Sequence, residues 1–132
     1  MISFSGSIAG QDLSDHKWQN RLVVILTSDS QNQMYKNQVE AFRGEKEGFD
    51  ERKLVVYHVT PTKYKTGFRN QNWKNSTELF NRFKKSESDF EVLLIGLDGG
   101  VKLHQNNLLT VQKLYSTIDV MPMRRREIES KK

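Results

Sequence analysis

At 132 residues, with 36% hydrophobic content and a formal charge of +5, the chain has the length and composition of one domain. It contains no cysteine, which excludes a disulfide framework, a thiolate nucleophile, Cys-ligated zinc and a CxxC redox pair. No apolar run reaches the roughly 18 residues that a membrane-spanning helix needs.

Residues 1–11 read as a disordered tail or the remnant of a secretory signal, because Ser7-Ile8-Ala9 puts small residues where a signal peptidase reads them. The domain is expected over 12–128, with a disordered basic end at 129–132. Asp12 to Trp18 reads as a loop or short turn, with Trp18 packed on the domain edge. Arg21 to Thr27 is a continuous β-branched run that suits a strand buried on both faces, and Ser28-Asp29-Ser30 then offers a helix N-cap. In the predicted helix from Gln31 to Arg43, Met34, Tyr35, Val39 and Phe42 share a face, and Gly44 terminates it.

The second strand, Lys53 to Val59, is more polar and runs into Thr60-Pro61. The connection from Thr60 to Thr77 is long for a βα loop. Asn75 and Glu78 have the spacing of a capping box before a helix through Lys85 with Leu79, Phe80 and Phe83 inward. Phe90 to Gly96, the turn Leu97-Asp98-Gly99-Gly100, and Val101 to His104 read as a β-hairpin, since Asp-Gly supplies positive φ. A last helix starts near Asn107, with Leu108, Val111, Leu114, Tyr115 and Ile118 at helical spacing. Pro122 opens a short C-terminal helical turn.

The order β-α-β-α-β-β-α is that of a minimal thioredoxin-like fold: α/β, with a four-stranded mixed sheet. The first and third strands are then central. The second and fourth form the edges, where Tyr57, His58, Lys102 and His104 meet solvent.

Leu94-Ile95-Gly96-x-Asp98-Gly99-Gly100-Val101-Lys102-Leu103, followed by Ile118-Asp119-x-Met121-Pro122-Met123-Arg124-Arg125, resembles the thioredoxin-like DUDES domain. The likeness also takes in Asp12 to Trp18 and the strand Leu22 to Leu26, and covers about residues 12–128. That family occurs as small bacterial secreted or envelope proteins of unknown function, and within vertebrate extracellular sushi-repeat and matrix-adhesion proteins. The resemblance implies a thioredoxin-like fold and an extracytoplasmic, periplasmic or secreted, location. Ser28-Asp29-Ser30-Gln31 stand where thioredoxin carries its cysteines, so dithiol exchange is excluded.

Function is sought first in charge. The Thr60–Thr77 segment carries +4 and no acid, with Lys63, Lys65, Arg69 and Lys74 interleaved with Tyr64, Phe68 and Trp73. The segment from Met121 carries +3, through Arg124, Arg125 and Arg126 among others, which leaves the rest of the chain at −2. Cations that track anionic charge beside aromatic faces are the means of polyanion binding. The plainer reading is that the aromatics anchor the loop and that the arginines fork onto Asp119 or onto carbonyls at a helix end. An anionic macromolecule or surface is the expected partner, in preference to nucleic acid; a nucleic-acid-binding protein, which needs a cytoplasmic location, is the third alternative.

A rival enzyme reading places a cysteine-free site in a groove near Asp29 and Ser30, with His58 or Lys102 as acid or base. Helix capping is the ordinary role for Asp29 and Ser30. No metal or cofactor is expected, because His16, His58 and His104 lack ligand spacing and no P-loop, GxSxG or HExxH occurs.

Overall fold

The aliphatic run Arg21–Thr27 is buried at every position and forms β1, the strand on which the rest of the fold is laid. In this computed structural model, residues 15–68 and 72–130 are described. β1 pairs in parallel with β2 (Leu54–Val59), Val23 opposite Val56, and antiparallel with β5 (Phe90–Ile95), Val23 opposite Leu94. β6 (Val101–Gln105) pairs antiparallel with β5 at one edge. β3 (Lys63–Thr66) and β4 (Lys74–Asn75) extend the other side antiparallel, giving the open order β4-β3-β2-β1-β5-β6.

Alternation along β1 divides the core between the two faces. Val23 and Ile25 join Tyr35 and Phe42 of α1 (Gln33–Phe42), Phe49 of α2 (Lys46–Glu51), and Leu114 and Ile118 of α4 (Val111–Asp119). Leu22, Val24 and Leu26 pack instead on Leu79 and Phe80 of α3 (Leu79–Phe83). α5 (Pro122–Ser130) follows α4 directly, Pro122 occupying the first helical position, where its missing N–H costs nothing.

The sheet has six strands rather than the four expected. The Thr60–Thr77 connection is not a free loop. Thr60 N–H donates to the Lys63 carbonyl (2.8 Å), and Thr60 Oγ1 accepts from Lys63 N–H (3.1 Å), folding the chain back on β2. β2 is therefore interior, and Tyr57 and His58 are buried rather than at a solvent edge. The helix starts also shift. Asn32, not Asp29 or Ser30, caps α1, its Oδ1 accepting from Tyr35 N–H (3.2 Å). Asn75 lies in β4, and Glu78 makes no side-chain cap for α3, so the capping box does not form.

α4 begins at Val111 behind a Thr110 cap. Its approach is fixed from across the core. The Gln38 amide donates to the Leu109 carbonyl and accepts from the Leu109 N–H, both at 2.8 Å, which buries Leu109 and leaves Leu108 exposed. α2, a short helix holding Phe49, is additional to the expected elements. The C-terminal turn proves to be the nine-residue α5. Trp18 is 56% exposed rather than packed on an edge.

The hairpin motif is explained by its own geometry. Asp98 Oδ1 accepts from Gly100 N–H (2.9 Å), and Asp98 Oδ2 pairs with Lys102 Nζ (3.0 Å), holding the carboxyl below the usual carboxylate range. Lys102 is the extra residue of a bulge, Leu94 pairing with Leu103 and Ile95 with Val101. Gly99 sits at φ +85°, so Gly99→Ala is expected to cost about 1–2 kcal/mol, read as a lowered denaturant midpoint at unchanged m.

Candidate functional site

β3 alternates Lys63 and Lys65 on one face with Tyr64 on the other. Tyr64 turns inward and stacks on Tyr57, the rings 6.1 Å apart and 16° from parallel. The two lysines project outward onto Trp73, just before β4. Lys63 Nζ lies 4.7 Å and Lys65 Nζ 4.8 Å from the ring centre. Neither ammonium has a carboxylate partner among the described residues. Partial burial and the neighbouring Lys63 charge together lower the Lys65 pKa, so two cations are gathered about one aromatic ring. Lys74 is exposed on the adjacent strand, and Arg69 lies outside the described residues. Phe68 faces inward and meets Phe49 edge to face at 4.9 Å, so it anchors the segment.

Behind this edge, a cleft of about 500 Å³ is lined by Lys65, His58, Phe68, Val56, Phe42 and Arg43, among others. His58 is 4% exposed. Its Nε2–H donates to the Gly67 carbonyl (2.8 Å), which leaves Nδ1 to accept from the Tyr35 hydroxyl (2.9 Å). Burial lowers its pKa to about 4; the Gly67 hydrogen bond opposes that shift and the Lys65 charge adds to it. Burial raises Tyr35 to about 12. A neutral imidazole with both nitrogens engaged clamps β2 to α1 and to the turn after β3. Nothing in that arrangement leaves a lone pair for proton transfer.

The other groove residues do not converge on it. Asp29 is exposed beyond the C-terminal end of β1, its Oδ1 accepting from Gln31 N–H (2.9 Å), with Ser30 half-buried beside it. Lys102 lies at the opposite end, since Val101 pairs with Ile95 and Ile95 with Leu22. Seven residues of strand and turn separate the two positions by roughly 20 Å.

The arginine segment divides in the same way. Arg124 is 1% exposed, with Nε on Asp119 Oδ1 (3.0 Å), a terminal nitrogen on Glu51 Oε2 (2.7 Å), and another on the Glu51 carbonyl (3.2 Å). Arg52 forks onto the same Asp119, and Arg21 forks onto Glu127. Burial pushes the Asp119 pKa up, but the two guanidinium partners outweigh it and the net shift is downward. Arg125 and Arg126 point to solvent on α5, whose described part includes Glu129 and Ser130.

Two further features arise only in the folded chain. Glu91, 1% exposed on β5, accepts from His104 Nε2 (2.8 Å), Lys85 N–H (2.9 Å) and Lys84 Nζ (3.3 Å). These contacts overcome burial and hold its pKa below the ordinary value. A basic concavity on the α3 face gathers Lys17 with Arg82 and Lys85, a closely spaced pair that lies far along the chain from Lys17. Among the described residues, no group of three His, Asp or Glu side chains could hold a metal, and no helix is long and apolar enough to cross a membrane.

No curated protein and no solved structure matches the chain significantly. A protein-family model described as Domain of unknown function (DUF4174) matches residues 12–127, which take in the lysine–tryptophan edge, the braced hairpin and Arg124, and the chain belongs to that family.

Proposed function

We propose that this protein is a non-redox binding or structural module that engages an anionic macromolecule or surface through the edge formed by Lys63, Lys65 and Trp73. The observation that carries this reading is the pair of ammonium groups 4.7 and 4.8 Å from one indole, neither neutralised by a carboxylate among the described residues. A like-charged pair on a half-buried ring is electrostatically unfavourable in isolation, and a bound sulfate, phosphate or carboxylate relieves it. The ring offers a stacking surface to a sugar or base at the same place. Lys74 and Arg69 extend the cationic sequence, and Tyr64 and Phe68 fix the backbone that presents it. Arg125 and Arg126 add to the general field, whereas Arg124 is engaged in the core.

The parallel β1–β2 pair flanked by antiparallel β5 and β6 supports the thioredoxin-like reading and, with it, the likeness to the DUDES domain. Export to the periplasm or cell exterior follows from that likeness, and favours a polysaccharide or envelope surface over nucleic acid. An intact native protein recovered from the cytoplasm would contradict it. The groove enzyme finds no favouring observation, because Asp29 and Lys102 lie at opposite ends of the sheet.

The test is binding to heparin, single-stranded DNA and anionic vesicles across a salt series, for the full chain and for a Lys63→Glu/Lys65→Glu variant. The expected result is salt-sensitive binding to at least one of the three that falls at least about tenfold in the variant. Equal binding by both proteins, or none by either, overturns the proposal.

A further inference from the structure

The concavity on the α3 face lies apart from the edge at β3. It is a hollow of about 330 Å³ where β1 begins and β5 ends, a volume in the range of small-molecule sites. Its floor is apolar, formed by Leu22, Ile95 and Phe83, with the exposed Val101 at the margin. Three cations reach its rim from separate elements, Lys17 from the turn before β1, and Arg82 and Lys85 from α3 and the residues after it. None of the three has a side-chain ion-pair partner among the described residues. The one acid on the lining, Asp98, is already matched by Lys102 at 3.0 Å.

The wall between rim and floor is built rather than incidental. His16 donates from Nδ1 to Asn20 Oδ1 (3.0 Å), and its Nε2 accepts from the buried Tyr57 hydroxyl (2.8 Å), which pins the preceding turn to the sheet. A Cβ placed on Gly99 would lie 3.8 Å from Lys17 Cδ, so the Lys17 stem runs along the hairpin turn toward the hollow. An exposed surface lysine is ordinarily solvated and alone. Three unneutralised cations around an apolar floor are the complement of an anion carried on an apolar body.

We propose that this hollow binds a small organic dianion, a phosphate monoester or dicarboxylate, whose charged end meets Lys17, Arg82 and Lys85 and whose ring or chain rests on Leu22, Phe83 and Ile95. Arg82 supplies the fork that matches two oxygens of such a group, and the lysines supply point charges. The site faces away from Lys63 and Lys65, which share the sheet face of His58, so it does not depend on the polyanion reading.

The full-length chain, isotopically labelled, would be titrated with phenyl phosphate, phthalate and inorganic phosphate and followed by amide shifts. Saturable shifts centred on Leu22, Gly96 and Gly99, with phenyl phosphate or phthalate at least about tenfold tighter than inorganic phosphate, are the expected result. Which of those two binds tighter identifies the anionic group. Arg82→Gln, a surface change, should weaken the better probe about tenfold or more, whereas Lys63→Glu/Lys65→Glu should leave it unchanged. No preference over inorganic phosphate, shifts centred on β3 instead, or full affinity in Arg82→Gln would overturn the proposal.

Discussion

Replacing Arg124 with alanine is expected to lower the unfolding free energy by about 3–5 kcal/mol, the range for removing one partner of a buried ion pair. The side chain is 1% exposed and its contacts cross the fold: Asp119 at the end of α4, Glu51 at the end of α2, and Glu127 one turn along α5 at 3.5 Å. Its loss strips those carboxylates of a donor in a region where β1 also buries Arg21, whose Nε has no hydrogen-bond partner among the described residues. Asp119 retains Arg52, and Glu127 retains Arg21 and Lys53, so the damage is bounded. Arg124→Lys keeps the charge without the fork and should recover only part of the loss. Arg125→Ala, on the exposed side of the same helix, should stay within about 0.5 kcal/mol of the parent. Urea unfolding of the three variants checks the set. A cost below 1 kcal/mol for Arg124→Ala would return this arginine to the surface and to the cationic field.

Acid is expected to weaken the fold well before the carboxylates titrate. His58 titrates near 6.5 when unfolded but at about 4 in the fold, where burial dominates. Between those values the unfolded chain binds a proton that the native chain refuses, so stability is full above the unfolded value and declines as pH falls toward the folded one. At pH 5 the loss is about 2 kcal/mol relative to pH 7, with more to follow toward pH 4. The groups that face the ring agree with this direction. Tyr35 from α1 donates to Nδ1, which a proton would block, and Lys65 from β3 adds a like charge. Asp119 and Glu91 are held below their ordinary values, so their contributions are lost at lower pH. His58→Gln keeps a donor and an acceptor but cannot titrate, and should flatten the profile between pH 7 and 5. An equally steep profile in that variant would assign the acid sensitivity elsewhere.

The parts of the fold legible in the sequence are those that local chemistry decides. The aliphatic runs of β1 and β5 can satisfy themselves only inside a sheet, and Asp98-Gly99 can make little but a tight turn. β3 was not legible, since Lys63-Tyr64-Lys65-Thr66 carries one apolar residue and owes its strand to the Thr60 turn and to Tyr57 beneath Tyr64. α5 offers little apolar face; its one buried residue, Arg124, holds it against the fold through Asp119, which the sequence suggests, and through the remote Glu51, which it does not, while Arg125 and Arg126 stay exposed. Among candidate site residues, the Lys63–Lys65–Trp73 grouping was visible as composition, but the sharing of one ring was not. The strand that covers His58 carries no strand pattern of its own, so the sequence alone puts His58 at an edge. The hollow of Lys17, Arg82 and Lys85 leaves no sequence signal, since Lys17 lies far along the chain from Arg82 and Lys85 and only the fold joins them.

Whether Lys63, Lys65 and Trp73 form a polyanion-binding edge is tested most directly by the indole itself. The chain has two tryptophans, so Trp18→Phe, at an exposed position, leaves Trp73 as the sole reporter. Titration of that variant with heparin should give a saturable change in tryptophan emission that salt reverses and that Lys63→Glu/Lys65→Glu abolishes. Emission that stays constant while heparin is bound would put the contact elsewhere on the surface and contradict the claim.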